Sequence, residues 1–141
     1  MQKKILTYLA LPPGSELPAL EHLAPFLAIV LGEEESDELW QAETARWLVA
    51  SGCRYVLAWG KDCEAWQEAV DEANLEAFDY EDIPEEDRVL TTRHEDEERE
   101  EVFWFAKHRA AHPGHSFKAT VILDIASLSR KEEIEAEYAD A

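Results

Sequence analysis

Short apolar runs alternate along the chain with longer stretches in which apolar positions recur every three or four residues. The runs read as strands, and the periodic stretches as helices packed on one face. Residues 4–11 are the first run, closed by the turn Pro12-Pro13-Gly14. Ser15 then suits the N-cap of a short helix through Leu17, Leu20 and Leu23, with Pro18 in its first turn, where proline is tolerated. Pro25 stops that helix. Phe26 to Leu31 is continuously apolar, the mark of a strand covered on both faces. After Gly32 and three glutamates, Ser36 caps a helix to Ser51 that buries Trp40, Thr44, Trp47 and Leu48, with Gly52 at its C′ position.

The unit then repeats. Residues 55–59 are a third strand, Gly60 turns the chain, and Asp62 caps a helix carrying Trp66, Ala69, Val70 and Ala73 at core spacing. Residues 79–87 form a polar loop. Residues 88–92 are a fourth, less apolar strand. A helix over residues 96–111 turns Val102, Phe103, Ala106 and Ala110 inward, and Pro113-Gly114 closes it. Residues 119–125 are the fifth strand. Strands alternating with helices predict a small three-layer α/β domain, Rossmann-like or flavodoxin-like, with about five mostly parallel strands and helices on both faces. The first crossover is the shortest. Without a helix in residues 15–24, the first two strands are left open to either a parallel or an antiparallel arrangement. The single domain is expected over residues 1–128, with residues 129–141 as an acidic tail or frayed helix.

Composition narrows the function. The 141 residues carry 13 Lys and Arg against 32 Asp and Glu, a formal net charge of −19. With 46% hydrophobic residues and five Trp the chain is too apolar for a disordered acidic tail. The charge argues against nucleic acid or an anionic membrane as partner, because phosphate binding needs a basic surface. No apolar stretch reaches the ~20 residues that span a bilayer. The opening Met1-Gln2-Lys3-Lys4-Ile5 reads as the start of the first strand rather than a signal peptide. Cys53 and Cys63 flank the third strand roughly 20 Å apart, beyond disulfide reach, and two unpaired thiols fit a reducing cytoplasm.

A parallel sheet gathers its βα loops and helix N-termini on one edge. That edge collects Glu33, Glu34 and Glu35, then Asp62 and Glu64, then Glu95, Asp96, Glu97, Glu98, Glu100 and Glu101. The opposite edge receives Arg54, Lys107, Arg109, His112, His115 and Lys118, with the acidic loop over residues 81–87 spoiling the separation in part. Acids at helix N-termini stabilise by ~0.3–1 kcal/mol each. Capping does not need six acids in residues 95–101, and the excess costs stability through self-repulsion. An electrostatic platform for a basic protein accounts for it. Phe103-Trp104-Phe105 cannot all be buried on one narrow helical stripe, which makes Trp104 a candidate anchor for a partner or a second copy.

Chemistry has one other locus. Ligands of such folds bind beyond the carboxyl ends of the strands, where Trp59-Gly60-Lys61-Asp62-Cys63 and Thr91-Thr92-Arg93-His94-Glu95-Asp96 fall. Cys63 at a helix N-terminus could serve as a nucleophile with His94 as its base, although flanking Asp62 and Glu64 disfavour a thiolate. Asp62, His94 and Asp96 could hold a divalent cation, but no spacing matches an established metal signature. His108 and His112 share a helical face near a C-terminus, where partial positive charge is favoured. No phosphate loop and no nucleophile elbow is present, and no cofactor is implied.

The segments Gly52-Cys53-Arg54-Tyr55 through Trp59-Gly60-Lys61-Asp62-Cys63, and Thr91-Thr92-Arg93-His94-Glu95 through Phe103-Trp104-Phe105-Ala106, resemble a family of small uncharacterised bacterial proteins. The resemblance implies one domain over most of residues 4–126 and transfers no activity and no catalytic residue. The leading expectation is a non-enzymatic acidic module that binds a basic protein through Glu33, Glu34, Glu35, Glu97, Glu98, Glu100, Glu101 and Trp104, with self-association left open. The alternative is a small-molecule or metal-dependent enzyme around Asp62, Cys63, Thr92 and His94.

Overall fold

The computed structural model describes residues 5–141; Lys4, assigned above to the first strand, lies outside the described residues together with residues 1–3. Five strands, β1 (Ile5–Ala10), β2 (Phe26–Leu31), β3 (Cys53–Trp59), β4 (Leu90–His94) and β5 (Ala119–Asp124), form one sheet in the order β1-β5-β2-β3-β4. Every neighbouring pair is parallel. Helices α1 (Glu38–Ala50) and α2 (Cys63–Ala77) pack on one face, and α3 (Arg99–His108) and α4 (Lys131–Asp140) on the other. The α/β sandwich expected from the alternation of runs is therefore present.

The period-two geometry of the strands divides the core. Phe26, Ala28 and Val30 of β2 and Val56 and Ala58 of β3 meet Trp40, Leu48, Trp66 and Val70 beneath α1 and α2. The intervening Leu27, Ile29, Leu31 and Leu57 meet Val102, Phe103 and Ile134 beneath α3 and α4. Both β2 and β5 are buried at all six positions, since they lie inside the sheet with a layer on each side.

Four elements differ from the sequence reading. Residues 15–20 are not helical, and only Glu21–Leu23 make a 3₁₀ turn. The carbonyls of Ser15 and Pro18 are taken instead by the indole N–H groups of Trp40 (3.0 Å) and Trp47 (2.7 Å) from α1. The crossover is thus pinned as an extended strap, and Leu11, Leu20 and Leu23 fill the space a helix would occupy. This does not make β1 and β2 antiparallel neighbours, because β5 inserts between them and pairs in parallel with both.

The fourth strand lies two residues later than expected. Val89 N–H donates to the buried Asn74 side chain at 2.9 Å and His112 Nε2–H to the Arg88 carbonyl at 2.7 Å, so the ladder starts at Leu90 and ends at His94. The third helix is shorter at both ends. Asp96 takes a left-handed conformation (φ 56°) that breaks it from β4. Glu98 becomes the N-cap, in a reciprocal capping box with Glu101.

Residues 131–140, expected as an acidic tail or a frayed helix, form a docked helix. Ile134 is fully buried, and Tyr138 packs edge-on against Phe103 with ring centroids 5.5 Å apart. Lys107 Nζ donates to the carbonyls of Tyr138 (2.8 Å) and Ala141 (2.9 Å), closing the C-terminus of α4. Ile134→Ala should therefore lower unfolding stability by about 2–5 kcal/mol, the cost of deleting a buried isoleucine side chain. Chemical denaturation checks this, and an unchanged midpoint would mean that α4 contributes nothing to the fold.

Candidate functional site

Neighbouring strands whose exits lead to opposite faces leave a crevice between their carboxyl ends. This happens twice. β3 exits to α2 and β4 to α3, and the gap between them is a cavity of about 350 Å³ lined by Trp59, Gly60, Lys61, His94, Glu95, Asp96 and Glu97. β2 exits to α1 and β5 to α4, and that gap, about 450 Å³, is lined by Glu33, Glu34, Arg130 and residues 125–129. The first is the locus read from the sequence. The second was missed, although one signal for it was legible: Asp124 is a carboxylate at the end of an otherwise apolar run.

In the second crevice Asp124 has no solvent exposure. Arg130 clamps it through two bonds, Nη2 to Oδ1 at 2.6 Å and Nε to Oδ2 at 3.1 Å, and the Tyr8 hydroxyl donates to it from β1. Arg130 Nη2 also donates to Glu33 at 2.8 Å. Glu33 in turn meets Arg99 (3.5 Å), which pairs at 2.6 Å with Glu137 of α4. Hydrogen bonding to Asp124 and Glu33 raises the pKa of Arg130, so this guanidinium remains charged at every accessible pH.

The rim acids therefore divide into two groups. Glu33 belongs to the arginine network. Glu34 accepts from the Ser127 N–H (2.9 Å) and hydroxyl (2.8 Å), which hold its carboxyl below the usual range. Glu35 is held low by Lys61 at 2.7 Å. Glu98 and Glu101 form the capping box, and Glu97 receives the His94 ring. Glu95, Asp96 and Glu100 are exposed and have no such duty beyond a 3.6 Å approach of Arg93 to Glu95. Asp62 precedes α2 without a side-chain capping bond. Trp104 is 44% exposed; its ring is flanked by His108, with centroids 5.0 Å apart, and by the Arg109 guanidinium at 5.1 Å.

The candidates for chemistry are not brought together as the sequence suggested. Thr91 and Arg93 face α2, where Thr91 donates to Asp71 and Arg93 approaches Glu64. Thr92 and His94, at alternating positions, lie on the α3 face. Cys63 is buried in the α2 core, with burial followed by the nearby Glu95 carboxylate raising its pKa. The proposed pairing of Cys63 with His94 is thus overturned, because they lie on opposite sides of the sheet. Among the described residues no three His, Cys, Asp or Glu side chains converge as metal ligands, so Asp62, His94 and Asp96 do not form the cation site considered above.

His94 has other partners. Its Nδ1 lies 2.7 Å from Glu97 Oε2 and its Nε2 2.8 Å from Thr92 Oγ1. A carboxylate only accepts, so Nδ1 carries the proton and Nε2 accepts from the Thr92 hydroxyl. The backbone of Glu97 is fixed by the Trp59 indole, which donates to its carbonyl at 2.6 Å. Gly60 permits the crevice. Its φ is +102°, and a Cβ there would meet the Gly32 carbonyl at 2.9 Å.

These features define an acidic three-layer α/β domain with two crevices at the carboxyl edge of a parallel sheet. The chain belongs to the family described as a domain of unknown function (DUF7684), whose model matches residues 6–141. Neither a curated protein nor a solved structure matches it. Among the described residues no helix is long and apolar enough to cross a membrane.

Two measurements follow from the titrating groups. Both cysteines are free and buried, and burial pushes Cys53 up to about 12 and Cys63 in the same direction. At pH 8 Ellman's reagent should modify native protein far more slowly than free cysteine and titrate two thiols after denaturation; prompt reaction of either native thiol would contradict the burial. For Glu34, a folded-state pKa below the unfolded value means that its contact with Ser127 stabilises the fold above the ordinary glutamate range and is lost as pH falls through the folded value. The melting-temperature deficit of Glu34→Gln should be smaller at about pH 3, below the ordinary glutamate range, than at pH 7. An equal deficit at both values would show that ionisation is not what holds the loop.

Proposed function

We propose that this protein is an acidic binding module for a basic protein partner, engaged through the carboxyl edge of the sheet and the adjoining face of α3. One observation carries the reading: Glu95, Asp96 and Glu100 project into solvent without capping a helix or closing the arginine network. Acids of that kind add to self-repulsion in a chain already at −19, and of the three only Glu100, in the first turn of α3, also gains from the helix dipole. They are economically explained by steering. Exposed charges of one sign raise association rates, and the effect is screened over a Debye length of about 8 Å at physiological salt.

Trp104 lies one helical turn beyond Glu100 on α3, so an aromatic surface adjoins the carboxylates. Its ring already accepts the Arg109 guanidinium, and an arginine or lysine of the partner would exchange with Arg109 for that contact. The partner would be a basic protein, as for an immunity protein, an inhibitor or a nucleic-acid mimic. Bacterial origin and residence in the cytoplasm, the latter supported by two unpaired thiols, are parts of the same reading.

The test separates steering from folding. Replacing Glu97, Glu98 or Glu101 would disturb His94 or the cap of α3, whereas Glu95→Gln, Asp96→Asn and Glu100→Gln remove charge and, with it, only the exposed Arg93–Glu95 approach. Asn suits the left-handed position of Asp96. Capture from host lysate at low salt, followed by kinetics with the purified partner, should show the triple variant associating roughly tenfold more slowly, with a flatter salt dependence and little change in dissociation. The reading fails if no basic protein is retained in stoichiometric amount, or if the triple variant associates at the original rate.

A further inference from the structure

Thr92, His94 and Glu97 stand in an order that partner binding does not require. The His94 ring is 5% exposed and packed edge-on against Phe105, with centroids 5.1 Å apart. Glu97 fixes its tautomer, leaving the Nε2 lone pair directed at a hydroxyl 2.8 Å away. On the other side of Thr92 lies the buried Tyr55 hydroxyl, whose pKa burial raises and its contact with Thr92 lowers. His94 also forms part of the wall of the 350 Å³ crevice between β3 and β4. Thr92 itself is half-buried on the outermost strand.

We propose that Thr92 is an acyl-accepting nucleophile, with His94 as its general base and Glu97 as the orienting carboxylate, acting on small neutral or cationic carboxylic esters. The roles follow from what each group can do. A hydroxyl is a weak nucleophile until a neighbouring base takes its proton as the bond forms, and that base must be held in the tautomer with its lone pair toward the hydroxyl. Cys63 cannot take this place, being buried in the core on the opposite side of the sheet. The exposed carboxylates of Glu95 and Asp96 at the crevice disfavour anionic esters, which sets the charge class.

In the first half-reaction Thr92 Oγ1 bonds to the ester carbonyl carbon and its proton passes to His94 Nε2. The carbonyl electron pair moves onto oxygen. Collapse of this intermediate breaks the bond to the alkoxide, which leaves with the proton from His94. Water then gives a proton to His94 and attacks the Thr92 ester. Cleavage releases the carboxylic acid and returns the proton to Thr92. The sum is one ester and one water converted to one acid and one alcohol, with no change of oxidation state.

p-Nitrophenyl acetate tests the assignment on the intact chain. A burst of nitrophenolate, with an acetyl group mapped to Thr92 by peptide mass spectrometry, is the expected result. His94→Gln should slow acetylation of Thr92 by roughly 100-fold or more, the usual contribution of a general base. Glu97→Gln should slow it less. Thr92→Ser should carry the acetyl group on the new hydroxyl, which keeps the test valid if Thr92→Val fails to fold. A purely structural hydrogen-bond chain would alter the melting temperature of these variants without placing an acetyl group on residue 92. Acetylation of wild-type protein confined to lysines or the N-terminus, or acetylation of Thr92 at the same rate in folded His94→Gln, overturns the proposal.

Discussion

The buried ion pair between Asp124 and Arg130 is the constraint on which the carboxyl edge depends. A carboxylate with no solvent exposure at the end of a central strand is tolerated only if its charge is met and its lone pairs are filled. Arg130 meets the charge with two bonds, and Tyr8 supplies a third. Because Tyr8 lies on β1, Asp124 on β5 and Arg130 immediately before α4, these bonds also fix β1 at the sheet edge and set where α4 begins. The second reach of Arg130, to Glu33, ties in the loop that leaves β2. One buried charge thereby orders four separate segments.

The arginine network continues outward and explains why a chain this acidic holds together. Arg99 joins Glu33 of the β2 loop to Glu133 and Glu137 of α4, and Lys61 holds Glu35. Arg99 and Arg130 lie where several acids converge, so each meets more than one carboxylate. The exposed pairs contribute little individually, about 0–1 kcal/mol. The part-buried bidentate contacts matter more, because losing one partner strands the other out of water. With the cations spent on this network, the acids around Asp96 and Glu100 are left facing solvent, and the negative rim is a consequence of where the arginines are used.

The layered architecture was legible because it rests on local rules. Apolar runs bounded by glycine and proline gave β2, β3 and β5, and helical periodicity gave α1 and α2 within a few residues. What failed depended on distant partners. Nothing near Ser15 and Pro18 announces that two tryptophans more than twenty residues away take their carbonyls and prevent a helix. The start of β4 is set by Asn74 and His112, both from other elements. Residues 131–140 read as a tail or a frayed helix because only Ile134 is buried there, too sparse a pattern to show a docked face against so many charges. At the site, the clustering of rim acids was visible, but their division into structural and free groups was not. Helix capping, the Ser127 contact and the arginine network all require the fold to be known.

The two crevices bear on function differently because of what fills them. The gap between β2 and β5 is crossed by Arg130, whose guanidinium is already committed to Asp124 and Glu33. An anion entering there would have to compete with two carboxylates for the same donors, and a cation would have to displace the arginine. The gap between β3 and β4 has no such plug. Its lining cation, Lys61, is turned to Glu35, and its wall presents an indole, a histidine bonded to Glu97, and the exposed carboxylates of Glu95 and Asp96. Alternation along β4 places Thr92 and His94 together and separates both from Cys63, so the chemistry available at this edge is that of a hydroxyl and an imidazole rather than a thiol. The same open crevice adjoins the exposed acids beside α3, and surface charge and reactive groups meet there because Arg99 and Arg130 are engaged with Glu33, Asp124 and α4.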